Sequence, residues 1–188
     1  MTTGASWFAC RKALLLGLAL MAAEQDGKPT LSELQVSTDG QQVRVNMQLE
    51  NAFDEALLER LESGLPTELT YRFRLYRDRK RWWDNDLSRS SYQIIAMYNA
   101  VSREYLVNFK HDGKLTETRV VRDLEELERA MTVLEQVPVF ILGTQPPKAQ
   151  LLLRARVELG SGTWLFIFPS TRETNWVRSR KFRPSEVG

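Results

Sequence analysis

The sequence predicts an α+β fold, mostly antiparallel β in sandwich-like sheet layers, with two short packed helices. Three observations carry this. Residues 42–49, 67–77 and 149–159 alternate apolar and polar side chains, the period of a strand with one wet face. Two segments between these runs switch to helical period. Asp-Gly, the strongest short hairpin signal, occurs at Asp39-Gly40 and again at Asp112-Gly113.

Taken in order, residues 31–37 read as a short strand and Thr38-Asp39-Gly40-Gln41 as a turn. The strand at 42–49 sends Val43, Val45, Met47 and Leu49 to one face. Asn51 to Ser63 reads as a helix with Phe53, Leu57 and Leu61 in a stripe that Leu58 widens. Asn51 can cap it, Asp54 and Glu55 suit its positive start, and Gly64 suits a left-handed end. Pro66 blocks continuation. In residues 67–77, Leu69, Tyr71, Phe73 and Leu75 point one way, and Glu68, Thr70, Arg72 and Arg74 the other.

Residues 78–91 are polar and charged, and read as a loop. Strands follow at 92–98 and 102–110, and 115–121 pairs with the second across Asp112-Gly113. Asp123 with Glu126 resembles a capping box before a stripe of Leu124, Leu127, Met131 and Leu134. Val137 to Leu142 is a short strand, with Pro138 at a sheet edge. Pro146-Pro147 marks a connector. Residues 149–159 alternate, with Arg154, Arg156 and Glu158 outward and Leu152 as the exception. Gly160-Ser161-Gly162 is a turn before a buried strand from Thr163 to Phe168, and a basic tail starts at Arg172. The order hairpin–helix–strand occurs twice, which fits either a duplicated unit or a coincidence of element order.

The N-terminus places the protein rather than shaping it. Arg11 and Lys12 precede the uncharged run Ala13 to Ala23. As a helix that run is roughly 16 Å long against about 30 Å of bilayer hydrocarbon. A basic start, a short apolar run and small residues at its end make a secretory signal. Residues 1–23 therefore read as a signal peptide and 24–188 as a single exported domain, periplasmic after cleavage. The alternative is a protein tethered to the membrane by uncleaved residues 13–23.

The whole chain has 26 Lys+Arg and 24 Asp+Glu. Residues 1–23 hold two of the cations and no acid, so the remainder has a formal charge of zero. This balance argues against a nucleic-acid partner. Cys10, the only cysteine, precedes the apolar run, whereas a lipidated cysteine would follow it. Residues 24–188 then have neither a disulfide nor a cysteine metal site. His111 is the only histidine, which rules out sites built from several. It adjoins a turn, where a solvated role is expected. No Walker sequence and no GxGxxG is present. No catalytic residue, cofactor or metal site is expected. Asp84 and Asp86 are the nearest approach to a hydrolase pair, and nothing in the sequence fixes their geometry.

The densest constellation is Arg77-Asp78-Arg79-Lys80-Arg81-Trp82-Trp83-Asp84. Basic residues beside tryptophans suit RNA, an anionic membrane face, or a core edge covered by arginine stems. Arg77, Arg79, Lys80, Arg81, Trp82 and Trp83 are the candidate binding residues. The outward Arg72, Arg74, Arg154 and Arg156 form either a basic sheet face or cross-strand pairs with Glu68 and Glu158. Trp164, Phe166, Phe168 and Trp176 are expected to pack in the core and anchor the tail.

An ordered set of motifs carries a resemblance. It comprises the Ala-Leu-Leu helix before Gly64-Leu65-Pro66, the Arg79–Asp84 run, a tyrosine strand at 92–98 and Ser102-Arg103-Glu104-Tyr105-Leu106-Val107. Leu124-Glu125-Glu126-Leu127 and Thr174-Asn175-Trp176-Val177-Arg178-Ser179 complete it. In these the chain resembles the exported bacterial family catalogued as domain of unknown function 4390. The resemblance implies an exported proteobacterial protein and assigns no catalytic residue. The expected function is a non-enzymatic envelope protein that binds another protein or a membrane-associated component, with peripheral contact at the membrane surface. The alternative is a carrier of a hydrophobic or anionic small ligand.

Cell fractionation with N-terminal sequencing is expected to find the protein in the periplasm without residues 1–23. Intact Met1 to Ala23 on a membrane-bound protein would turn the segment into an anchor.

Overall fold

Two antiparallel sheets enclose one apolar core, and the pleat of the long strands decides which residues enter it. The structure, a computed structural model, describes residues 27–78, 85–143, 149–161 and 172–183. In chain order the elements begin β1 (Thr30–Leu31), β2 (Gln35–Asp39), β3 (Gln42–Glu50), α1 (Glu55–Glu62), β4 (Thr67–Arg77) and β5 (Asn85–Asn99). They continue with β6 (Glu104–His111), β7 (Lys114–Val121), α2 (Leu124–Thr132), β8 (Val133–Ile141), β9 (Leu151–Ser161), β10 (Arg172–Glu173) and β11 (Val177–Arg178). The expected strand at 163–168 lies outside the described residues.

In the smaller sheet β2 and β8 flank β3, and β1 pairs with its end at Leu49 and Glu50. The larger sheet runs β7-β6-β5-β4-β9, with β10 and β11 both on β9. The alternation is obeyed. Val43, Val45, Met47 and Leu49 of β3 enter the core, as do Leu69, Tyr71, Phe73 and Leu75 of β4. Leu151, Leu153, Ala155, Val157 and Leu159 of β9 join them, and Leu152 is fully buried as well. Tyr71 is completely buried, and its hydroxyl donates to the Met131 carbonyl at 2.8 Å. Burial holds that phenol far above its usual pKa.

The two Asp-Gly turns differ in type. Asp112 (φ 47°) and Gly113 (φ 80°) both have positive φ between the paired His111 and Lys114, the I′ pattern that needs glycine or a small polar residue. Between Asp39 and Gln42 the positive φ falls on Gly40, first of the two loop residues, as in type II′.

Both helices are capped by aspartate. Asp54 accepts from the Leu57 amide at 2.9 Å, and Asp123 from the Glu126 amide at 2.7 Å. Asn51, the expected first cap, instead adopts a positive φ upstream, because Asp54 is the residue in reach of an unpaired first-turn amide. The α1 end closes with Gly64 donating to Leu61 and Leu65 to Arg60. That double bond pattern places Gly64 at φ 75°. Leu57 and Leu61 are buried as expected, and so are Leu127 and Met131. Leu124 is exposed, and Leu134 reaches the core from β8, because α2 passes into strand after Thr132 without a turn.

The expected loop at 78–91 is corrected. β5 starts at Asn85, and Asn85–Ser91 pair with Arg77–Arg72 of β4. Backbone pairing with a long neighbour holds this polar stretch extended. The twofold hairpin–helix–strand order exists, but the β2–β3 hairpin lies in the small sheet and β6–β7 in the large one. β8 also intervenes between α2 and β9.

The tail covers the outer edge of β9 with two register shifts. Arg172 and Glu173 pair with Leu159 and Glu158, Val177 and Arg178 with Ala155 and Arg154, and Phe182 bridges Leu151. At each shift a hydroxyl replaces a carbonyl. The Val157 amide donates to Thr174 Oγ1 and the Leu153 amide to Ser179 Oγ, both at 3.0 Å. Thr174 and Ser179 are buried, so these bonds satisfy amides that water does not reach.

Leu57→Ala and Leu127→Ala are each expected to cost roughly 2–5 kcal/mol in urea melts, through lost burial and the cavity left behind. A loss below about half a kcal/mol would mean the helix faces are misassigned. Thr174→Val keeps shape but removes the acceptor for Val157, and is expected to cost about 1–3 kcal/mol by the same melts.

Candidate functional site

Because β4 and β9 turn their apolar side chains inward, their arginines share the outer face. Arg72 lies opposite Arg156 and Arg74 opposite Arg154. Arg74 is also opposite Arg89 of β5, and Arg154 opposite Arg178 of β11. Arg178, Arg154, Arg74 and Arg89 thus form one cross-strand row over four strands. At about 4.8 Å between strands the row is roughly 14 Å long. Like charges placed directly opposite destabilise a sheet.

Carboxylates and aromatic rings offset part of that repulsion. Glu158 Oε1 accepts from Arg72 Nε at 2.6 Å and from Arg156 Nη2 at 2.8 Å. Arg156 Nη1 reaches Glu173 at 2.8 Å, and Arg89 is paired with Asp86 at 2.9 Å. Glu68, the other expected partner, instead accepts from Thr70 and Gln93. The guanidinium carbons of Arg74 and Arg156 lie 4.8 and 4.9 Å from the centroid of the same Trp176 ring. Arg154 covers Tyr76 at 4.8 Å. These are cation–π distances. Among the described residues Arg74 has no carboxylate partner.

Trp176 is therefore a correction. It was expected in the core, and it is 36% exposed on the arginine face. It sits between the paired segments Arg172–Glu173 and Val177–Arg178, where the register shift lets its ring lie over the sheet rather than under it. Trp164, Phe166 and Phe168 lie outside the described residues.

Of the loop candidates, Arg77 closes β4, where it is half-buried and pairs with Asn85 and Leu151. Arg79, Lys80, Arg81, Trp82 and Trp83 lie outside the described residues. Tyr76 and Arg77, which precede them in sequence, belong to the same end of β4 as Arg74.

A hollow of about 390 Å³ opens on this face. Arg72, Arg74, Arg89 and Arg156 line it, with Ser90, Ser91, Asp112 and Glu158. One wall is the Asp112-Gly113 turn. β6 ends at His111 opposite Tyr92, so β5 runs on past it. The turn then folds back, with the Asp112 amide donating to Ser91 O at 2.9 Å and the Ser91 amide to Asp112 Oδ1 at 2.7 Å.

At that corner Ser90 Oγ lies 2.9 Å from His111 Nε2 and 3.2 Å from Asp112 Oδ1. With Ser90 and His111 separated by 21 positions, the sequence carries no signal of this contact. A hydrolytic relay needs the carboxylate on the ring nitrogen remote from the hydroxyl. Here Asp112 Oδ2 approaches Nε2, the nitrogen already facing the serine, at 3.6 Å. The three groups close the turn on β5 and lack the order of a relay. His111, expected to be solvated, is half-buried by the same contacts.

A second recess of about 420 Å³ lies between β6–β7 and α2–β8. Phe109, Val121 and Leu134 floor it, and Arg119, Glu126, Arg129 and Glu135 rim it. Arg119 lies over the Phe109 ring and is gripped by both oxygens of Glu117, which holds that carboxyl below its usual range. Burial and the nearby Glu117 charge raise the Tyr92 phenol beside it. With both signs of charge on its rim, the recess does not select for ligand charge.

The family model described as Domain of unknown function (DUF4390) matches residues 27–163. No curated protein and no solved structure matches the chain.

Proposed function

The chain belongs to the DUF4390 family, and from that premise we propose a non-enzymatic, exported envelope protein that binds an anionic partner through the outer face of β4–β9. The observation that carries this reading is the row Arg178–Arg154–Arg74–Arg89. A fold gains nothing from setting like charges opposite one another on four strands, and each such pair costs a fraction of a kcal/mol. An anion laid on the row removes that repulsion and gains charge-assisted hydrogen bonds. Trp176 and Tyr76 hold guanidinium planes in place in advance, which lowers the entropy lost on binding.

Arg79, Lys80, Arg81, Trp82 and Trp83 follow β4 in sequence and are kept as candidate contact residues. The partner is an acidic protein or a membrane-associated component of the envelope. Export rests on the signal-like residues 1–23, and retention of residues 13–23 as a tether is the alternative.

The triple change of Arg74, Arg154 and Arg178 to Ser tests this face. Arg178 is exposed and Arg74 and Arg154 are half-buried on Trp176 and Tyr76, so melting is expected to fall by no more than a few degrees, with relief of like-charge repulsion offsetting the lost ring contacts. Crosslinking and pull-down from the envelope, and capture on anionic vesicles, are expected to fall about tenfold at low salt and less at high salt. Replacing Arg79, Lys80 and Arg81 by Ser should act in the same direction. Undiminished capture by the folded triple variant would overturn the assignment of this face.

A further inference from the structure

We infer that the hollow at the β4–β5–β9 corner is a binding site for a phosphate monoester, an inference that rests on reading the arginine face as a binding surface.

Arg74 is the centre of the argument. It stands opposite Arg154 on one side and Arg89 on the other, and no carboxylate among the described residues engages it. Its guanidinium is nevertheless fixed, because it lies 4.8 Å from the Trp176 ring centroid. Stacking on an aromatic face orients the plane of a guanidinium and leaves its edge donors free. That edge carries parallel N–H groups spaced to meet two oxygens of one phosphate. Around it, Arg72 and Arg156 are held by a shared oxygen of Glu158, and Arg89 donates from Nε and Nη2 to Asp86 Oδ2. These carboxylates leave Nη1 and Nη2 of Arg72 and Nη1 of Arg89 as donors, whereas Arg156 commits Nη1 to Glu173 and Nη2 to Glu158.

Charge selects among oxyanions. Arg72, Arg74, Arg89 and Arg156 line the hollow together with Asp112 and Glu158, a surplus of two positive charges. A phosphate monoester carries about −1.5 to −2 near neutral pH and three acceptor oxygens. A phosphodiester or sulfate ester carries a single charge, and a carboxylate offers two oxygens. The Ser91 hydroxyl on the hollow's wall donates to Asp112 Oδ1 at 3.4 Å, a long bond that a phosphate oxygen can replace. Asp112 beside it is an acceptor for a hydroxyl of the group that bears the phosphate. The volume of about 390 Å³ falls in the range of small-ligand sites. The ligand class is thus a phosphate monoester on a hydroxylated carrier. A soluble sugar phosphate and a lipid headgroup both offer that chemistry.

Calorimetric titration of the full chain with glucose 6-phosphate and glucose 6-sulfate tests the charge selection. Flotation with phosphatidylcholine vesicles containing phosphatidylinositol 4-phosphate or phosphatidylinositol tests the lipid source. The expected result is binding of the phosphate monoester at least about tenfold tighter than of its singly charged counterpart, in one arm or both. The arm that responds identifies the source. Arg74→Gln and, separately, Arg89→Gln should each weaken that binding about tenfold in a chain that still melts cooperatively within a few degrees of the parent. Equal binding of the two charge classes overturns the inference. So does binding that survives both variants, or no binding of either phosphate monoester at millimolar concentration. If envelope capture depends on the arginine row while no phosphate monoester binds, the binding face stands and the phosphate assignment alone is lost.

Discussion

The register of β4 against β9 is the constraint on which the rest of the molecule depends. Leu69 faces Leu159, Tyr71 faces Val157, Phe73 faces Ala155 and Leu75 faces Leu153. All eight are buried between the sheets. A slip of one residue would drive the arginines into the core. A slip of two would set Glu158 directly opposite Arg72, the better electrostatic match, but it would shift every inward contact. Burying a large apolar side chain is worth about 1.5–3 kcal/mol, against fractions of a kcal/mol for an exposed charge pair. Packing therefore fixes the register, and the arginine row is its consequence on the other face. The Tyr71 hydroxyl adds a directional lock, because the Met131 carbonyl is its partner across the core.

The tail connects this core to the candidate site. It closes the edge of β9 and carries Trp176 onto the arginines. Asp54 ties it further, since the same carboxylate caps α1 and accepts from Arg172. That double engagement holds the Asp54 carboxyl below its usual range, with the Arg172 bond the larger cause. One side chain therefore couples a helix start to the strand edge that supplies the aromatic part of the site.

The strands at 42–49, 67–77 and 149–159 were legible because alternation and burial coincide there. The turns and the α2 cap are legible because Asp-Gly and Asp-x-x-Glu have local mechanisms, whereas at α1 both Asn51 and Asp54 suit a helix start and only the structure selects Asp54. The start of β5 was not. Its inward residues Ser88 and Ser90 lie opposite Leu75 and Phe73 and carry no apolar signal, so Asn85–Ser91 resembles a loop. The tail was hidden for a related reason, since two register shifts break its period. Arg72, Arg74, Arg154 and Arg156 were recognisable as outward-facing. Their apposition was not, because it is a property of pairing between strands about 80 residues apart, which no local pattern encodes. Trp176 reads as a core residue and tail anchor from its place among the late aromatics, whereas its position relative to the shifts decides its face.

The pairing of β3 with β8 has a kinetic consequence. Asn46 and Gln136, which bond across that pair, are separated by 90 residues. The β4–β5–β6–β7 meander closes through adjacent hairpins, so its loop-closure cost is small, while the β3–β8 contact must enclose the whole meander. During synthesis Val43, Val45, Met47 and Leu49 emerge early, yet the β8 strand that flanks β3 emerges nearly a hundred residues later. Until then the β2–β3 hairpin presents an apolar stripe and an unpaired edge, the features that chaperones recognise and that nucleate aggregation. The first sheet to leave the ribosome thus stays open until the whole meander has emerged, and the larger sheet closes later still, when β9 and the tail arrive.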